Sequence, residues 1–244
     1  MPGTEDFANK VEIAHRFFLG TGSTYDLTVH LWTLGLDRWW KTRILDKVPS
    51  GPRRILDQAC GTGILTFLMA RKFPCCEIVG VDLHREYLSE AMRKARAMSI
   101  TNVQFVQGLA EEVSLRGPFD CITSSYLAKY ARLDRLVAGA RRMLRPGGIL
   151  IMHDFTYPRS RFVSRILGSY FRLMQTLGSP AFPQWKNVFS ELEGFLRQTR
   201  WVTELVDSLV ANAFKAIRVR SITLGLGTLV YAANTSPPGR VGMA

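Results

Sequence analysis

Residues 53–63, Arg-Arg-Ile-Leu-Asp-Gln-Ala-Cys-Gly-Thr-Gly, leave this chain few ways to fold. An apolar run ends in an acid, then in two glycines one residue apart, then in a segment of helical character. That is a strand, a tight turn and a helix start. Without a Cβ, Gly61 and Gly63 let the backbone turn sharply and let a ligand approach it closely. The helix that follows offers free N–H groups in its first turn. A second acid, Asp82, closes the next apolar run, Glu77-Ile78-Val79-Gly80-Val81, 19 positions after Gly63. An acid about 20 residues beyond a glycine turn is placed to bind ribose hydroxyls. The chain is therefore expected to hold a nucleoside-containing cofactor.

The rest of the pattern agrees with an α/β fold. From 53 to about 155, strand-like runs near 54–58, 77–82, 103–107, 119–124 and 148–154 alternate with helical segments near 63–73, 85–98 and 132–144. Such alternation predicts parallel βαβ units buried on both faces. Two β-rich runs, Phe214–Ile222 and Thr228–Ala233, are linked closely enough for an antiparallel hairpin. The expected fold is a Rossmann-like, seven-stranded, mostly parallel sheet with an antiparallel last strand and helices on both faces. Before it, Phe7, Val11, Ala14 and Phe18 stripe one helical face, and a second helical stretch runs from Leu31 to Trp40. Residues 156–200 interrupt the alternation: Phe162, Val163, Ile166, Leu167, Tyr170, Phe171, Met174 and Leu177 share one wide face, with Arg161, Arg165 and Arg172 opposite. The Pro237-Pro238-Gly239 tail is expected to fray.

The formal net charge of +12 favours an anionic partner: nucleic acid, an acidic membrane surface or a phosphorylated substrate. Cysteines at 60, 75, 76 and 121 form no C-x-x-C pair, and the histidines at 15, 30, 84 and 153 are scattered, so no metal site is expected. Acids and bases within the first 20 residues break any secretory signal, and the apolar run Ile222–Ala233 is too short to span a bilayer. The reading is a cytoplasmic protein, peripheral at the inner membrane surface at most.

Which cofactor follows from what the glycine turn lacks. Ile64-Leu65-Thr66 follows Gly63, so the third glycine of a nicotinamide fingerprint is missing, and no Walker A lysine occurs. Asp57, just before the glycines, would repel a phosphate and attract an ammonium. S-adenosylmethionine has an amino-acid end, a sulfonium and no phosphate. On these residues the chain resembles the class I methyltransferases. It is further similar to the ubiquinone/menaquinone C-methyltransferase family through Tyr25-Asp26-Leu27, Leu34–Lys41, Phe119–Ser125, Arg142–Gly148 and Asp154-Phe155. The resemblance covers most of 23–155 and is weak from 156 to 212.

The resemblance implies an S-adenosylmethionine-dependent methyltransferase acting on a polyprenyl hydroquinone in menaquinone or ubiquinone synthesis. It implies residues 1–50 as a helical extension and lid, and 51–244 as the methyltransferase domain with an insertion at about 156–210. Thr62, Asp82, Leu109, Ala110 and Ser125 fall where the family holds the cofactor; Tyr25, Asp57, Gly61, Gly63 and Leu83 complete the candidate set. One departure stands out: the family has Asp or Asn at the place of Leu109, and leucine cannot hydrogen-bond the adenine amino group.

Carbon methylation of a hydroquinol is helped by a base or a charge-stabilising donor near its hydroxyl. The candidates at the carboxyl edge of strands four and five are Tyr126, Lys129, His153 and Asp154, with Tyr130 beside them. Nine arginines and two acids lie between Arg132 and Arg172, beside the apolar face of 162–177. This suits a lid lining a hydrophobic channel whose outer face meets anionic lipid. Three other readings stand beside this one: a methyltransferase for another apolar phenol or lipid, an RNA methyltransferase, or a cofactor-binding protein without catalysis. RNA is disfavoured because strand four ends in Ser-Ser-Tyr and no RNA-binding module is appended. The sequence leaves the oligomeric state open.

Overall fold

A computed structural model describes residues 2–235, with side chains from residue 10. Phe7's side chain and the 237–239 tail lie outside the described residues. One seven-stranded sheet has the order β3-β2-β1-β4-β5-β7-β6. Its strands are β1 (Arg54–Gln58), β2 (Glu77–Asp82), β3 (Val103–Gln107), β4 (Phe119–Ser125), β5 (Leu144–Phe155), β6 (Phe214–Ile222) and β7 (Gly227–Asn234). The first five are mutually parallel, and β7 runs antiparallel to both its neighbours. β1 lies between β2 and β4, at the point where the strand order reverses. A ligand crevice opens at the carboxyl ends of strands at such a point.

Strand alternation divides the core into two layers. Leu56, Val79, Ile122 and Leu150 face α6 (Leu133–Met143) and α10 (Trp201–Ala211). Ile55, Ile78, Cys121 and Ile151 face α3 (Leu36–Leu45) and α4 (Ile64–Lys72). The edge strand β6 carries Lys215, Arg218 and Arg220 at exposed positions, which discourages pairing with another chain.

A third, aromatic layer sits above the carboxyl edge. α1 (Pro2–Phe18) and α2 (Tyr25–Trp32) pack there against α7 (Arg161–Leu173), the single turn α8 (Ser179–Ala181) and α9 (Lys186–Gln198), through Phe17, Tyr130, Phe171, Met174, Trp185 and Phe189. α5 (Arg85–Ala97) flanks β2 and β3. The insertion is shorter than the expected 156–210. Trp201, Leu205 and Leu209 of α10 belong to the sheet core, so α10 is the crossover helix into β6. The wide apolar face of 162–177 also divides. Val163, Leu167, Tyr170 and Met174 turn inward, while Phe162, Ile166, Leu173 and Leu177 are exposed. Among the described residues no helix is long and apolar enough to cross a membrane.

Candidate active site

Two cavities meet above β1 and β4. The smaller encloses about 100 Å³ and lies at the glycine turn; the larger encloses about 310 Å³ under the aromatic layer. Phe18, Tyr25, Tyr126 and Tyr130 line both and form the junction.

The smaller cleft is built by the ends of β1, β2, β3 and β4. Asp82 ends β2 with its carboxylate fixed by two backbone donors, Gly61 N–H at 2.8 Å and His84 N–H at 2.9 Å. Ala59 and Gly61 adopt positive φ of 53° and 57°, so the turn presents its backbone to the cleft. For Ala59 this left-handed backbone costs about 1 kcal/mol that glycine would not. Leu83, Leu109, Ala110 and Ser125 complete the wall. Glu111 also lines it: Oε1 accepts the N–H of Arg132 at 3.0 Å, Oε2 has no partner, and burial raises its pKa. No lysine or arginine lines this cleft among the described residues. An anchored carboxylate, apolar walls, a hydroxyl and no cation suit a nucleoside with a cationic tail and no phosphate. S-adenosylmethionine fits that donor set.

Three of the expected cofactor residues do not reach the cleft. Asp57 is 1% exposed, and its oxygens accept the hydroxyls of Thr66 (2.6 Å) and Thr123 (2.9 Å). Burial is the main cause of its pKa rising to about 6, against the two hydroxyl bonds and the charge of Lys41. Asp57 can act on a cation only through its field. Thr62 turns its hydroxyl to Asp26 of α2 (2.5 Å), which also pairs with Lys94. Gly63 caps α4 with φ +88°, where a Cβ would lie 2.5 Å from the Phe67 ring. Its role is to let Phe67 pack.

The larger cavity is almost wholly apolar. Lys129 is its one charged lining residue among the described residues, 2% exposed and paired with the fully buried Asp154 at 2.5 Å. A second Lys129 proton goes to Tyr126 O at 3.2 Å. Burial lowers the lysine pKa, and Asp154 opposes that shift. Tyr126 stands at the junction with φ +71°, a conformation that costs a bulky residue roughly 1–3 kcal/mol and is kept where function needs it. Four contacts hold it: its N–H to His153 O (2.8 Å), its ring stacked on Phe155 (centroids 4.6 Å apart), its hydroxyl to Asp37 Oδ1 (2.7 Å), and the Lys41 ammonium 4.7 Å from the ring centre.

Two expected catalytic candidates face neither cavity. His153 is enclosed between Trp40 and Tyr126, with Nδ1 near Ser125 Oγ (3.3 Å) and Nε2 unpartnered. Burial first, then Lys41 and Lys129, holds its pKa well below the histidine range, so it stays neutral. Asp154 spends its carboxylate on Lys129 and on the N–H groups of Lys129 and Phe155. It is a positioning residue for Lys129. Sequence reasoning missed the buried Asp37–Lys41 pair behind Tyr126. The acid–lysine spacing of four within an aromatic-rich helix was the signal available.

The chain matches the family described as methyltransferase domain over residues 55–148. It is 29% identical to the demethylmenaquinone methyltransferase of Thermus thermophilus over 84% of this chain and 94% of that protein. It is 33% identical to the ubiquinone/menaquinone biosynthesis C-methyltransferase of Pseudomonas aeruginosa, covering 70% of this chain and 69% of that one. Among solved structures, an O-methyltransferase family protein from Burkholderia thailandensis superposes with TM-score 0.61 at 19% identity, over 83% of this chain and 57% of that one. The geranyl diphosphate C-methyltransferase of Streptomyces coelicolor gives 0.55 at 15% identity, over 81% and 78%. These two likenesses bear on the fold.

Proposed function

The chain belongs to the ubiquinone/menaquinone biosynthesis C-methyltransferase family, enzymes that depend on S-adenosylmethionine, and we propose that it methylates a ring carbon of a polyprenyl hydroquinone. The observation that carries this reading is the apolar cavity of about 310 Å³ that shares Phe18, Tyr25, Tyr126 and Tyr130 with the cofactor cleft and has one buried cation in its wall among the described residues. A flat aromatic ring suits walls of Trp32, Tyr126, Tyr130 and Phe155, and an apolar tail suits the rest.

In this reading Asp82, Gly61, Leu83, Leu109, Ala110 and Ser125 hold the cofactor. Bound there, S-adenosylmethionine supplies an electrophilic methyl on a sulfonium, displaced in line. Tyr25 and Tyr126 exclude water at the junction and orient the ring face. The Lys129 ammonium has one N–H left after Asp154 and Tyr126 O, and that N–H hydrogen-bonds the substrate oxygen while the proton stays on nitrogen. The quinol hydroxyl proton leaves to solvent, and the retained ammonium charge stabilises the phenolate that makes the neighbouring ring carbon nucleophilic. As the new C–C bond forms, the S–C pair stays with sulfur, and the ring then loses the proton of the methylated carbon. No Asp, Glu or His lines the cavity among the described residues, so that proton leaves to solvent.

Phe162, Ile166, Leu173 and Leu177 are exposed, as are Leu27 and Leu31 of α2 and Leu34 after it; Ile166 and Leu34 both border the larger cavity, and Arg161, Arg165 and Arg172 are exposed on α7. This edge suits docking on an anionic bilayer, from which a polyprenyl acceptor enters. The test supplies labelled S-adenosylmethionine and reduced demethylquinones in vesicles. Label is expected on the quinol, at least about threefold faster on anionic than neutral vesicles. No label on any of several quinols sinks the reading.

Asp57 gives a pH signature. A bound cation favours the carboxylate, so binding lowers the pKa from about 6 and releases a proton. Cofactor affinity is then constant above pH 6 and falls as pH drops through it, by up to about tenfold per unit. Calorimetry in buffers of different ionisation enthalpy at pH 5.5 measures the proton released. No release there removes Asp57 from cofactor binding.

A further inference from the structure

The larger cavity has a second polar point that the chemistry at Lys129 does not use. Thr28 and Trp32 line it from α2, four residues apart and so on one helix face. Both Thr28 Oγ1 and Trp32 Nε1 are buried with no hydrogen-bond partner. Several polar groups elsewhere in the wall are taken. Thr33 donates to Val29 O (2.7 Å), Trp40 to Thr223 (2.7 Å), Thr156 to Gly225 O (2.9 Å) and Trp185 to Thr24 (2.9 Å). The contrast with Thr33 is informative. A helical threonine usually turns its hydroxyl back to the carbonyl four residues earlier, as Thr33 does. Thr28, 2% exposed within α2, of which Thr33 is the C-cap, does not. Two unpaired buried groups on adjacent turns call for an explanation.

We propose that Thr28 and Trp32 bind a second ring oxygen of the acceptor, so that the enzyme selects dihydroxy arenes over monohydroxy ones. This rests on the aromatic acceptor assigned above. An indole N–H only donates, whereas a threonine hydroxyl donates or accepts. Their common complement is an oxygen that accepts one bond and can return a proton. An aromatic hydroxyl does both; a ring hydrogen does neither, and an ammonium cannot accept. Lys129 and the Thr28–Trp32 pair come from different elements, the segment after β4 and α2, and line the same cavity. The indole is already oriented: its ring meets Phe189 edge-on with centroids 5.3 Å apart, and the Tyr170 hydroxyl donates to Trp32 O at 2.8 Å. Binding then requires little rearrangement.

The experiment compares wild type, Trp32→Phe and Thr28→Val on a para-hydroquinol and on the matching monohydroxy arene. Wild type is expected to prefer the hydroquinol at least about tenfold in kcat/KM, because the monohydroxy arene leaves buried donors unpaired. Each variant is expected to reduce that preference to within about threefold, the hydroquinol losing more rate than the monohydroxy arene. An unchanged preference, or equal loss on both substrates, overturns the proposal. A separate readout is the indole N–H resonance that disappears in Trp32→Phe. It is expected to shift when the dihydroxy arene is added and to stay in place with the monohydroxy one; no shift with either overturns the subsite. Should wild type bind the dihydroxy arene with that shift yet methylate no quinol, the acceptor assignment fails and the subsite stands.

Discussion

Lys129→Met is expected to lower stability by about 3–5 kcal/mol and to slow methyl transfer at least about 100-fold. The stability loss comes from Asp154. It is fully buried, and its oxygens keep only the N–H groups of Lys129 and Phe155 once the ammonium is gone. The rate loss comes from the missing positive charge in an otherwise apolar cavity. A double variant, Lys129→Met with Asp154→Asn, separates the two effects. It carries no unpaired buried charge, so chemical denaturation is expected to show most of the stability recovered while the labelled-methyl assay stays low. Asp154→Asn alone adds a pH test. Asp154 raises the lysine pKa against burial, so its removal lets that pKa fall further. The charged form, which carries activity, is then lost at a lower pH, and the alkaline limb of the rate profile moves toward acid. An unmoved limb would mean that Lys129 does not act through its charge.

Asp82→Ala is expected to weaken S-adenosylmethionine at least about 100-fold by calorimetry, since charge-assisted hydrogen bonds contribute about 1.5–3 kcal/mol each. Two effects combine. The anion that accepts from ribose hydroxyls is lost, and Gly61 and His84 lose the acceptor that fixes the turn against β2. Asp82→Asn keeps an acceptor for one of those two N–H groups, which Asp82 holds on separate oxygens, and is expected to fall between. A change below threefold in Asp82→Ala would remove the ribose assignment. Asp57→Asn is the useful contrast. It keeps the bonding capacity for Thr66 and Thr123, so the acid-side loss of affinity is expected to vanish without disruption of the turn.

Much of the sheet was legible in the sequence because parallel strands buried on both faces are written as unbroken apolar runs. The runs at 54–58, 77–82 and 103–107 match β1, β2 and β3 residue for residue. The hairpin followed from two β-rich runs with a glycine link. Less legible were side-chain roles set by distant partners. Asp57 and Asp82 both end strands, yet Thr66 and Thr123 enclose one while the other faces the cleft. His153 and Asp154 are adjacent at a strand end that usually carries chemistry, but the aromatic layer from α3 and the β4 loop covers them. Tyr126's strain and Glu111's unpaired oxygen depend on contacts that no local spacing encodes. The insertion boundary was misplaced because α10 follows α9 with almost no break, and its place in the sheet core rests on where Trp201, Leu205 and Leu209 pack.

α2 touches both reactants' compartments. Asp26 near its start is fastened to Thr62 and Lys94 at the glycine turn, and Thr28 and Trp32 further along face the acceptor cavity. A rigid rod joined at both places cannot swing away from one without disturbing the other. The walls of the two cavities are therefore coupled through one helix, so a change at the glycine turn is carried by Asp26 to the far compartment.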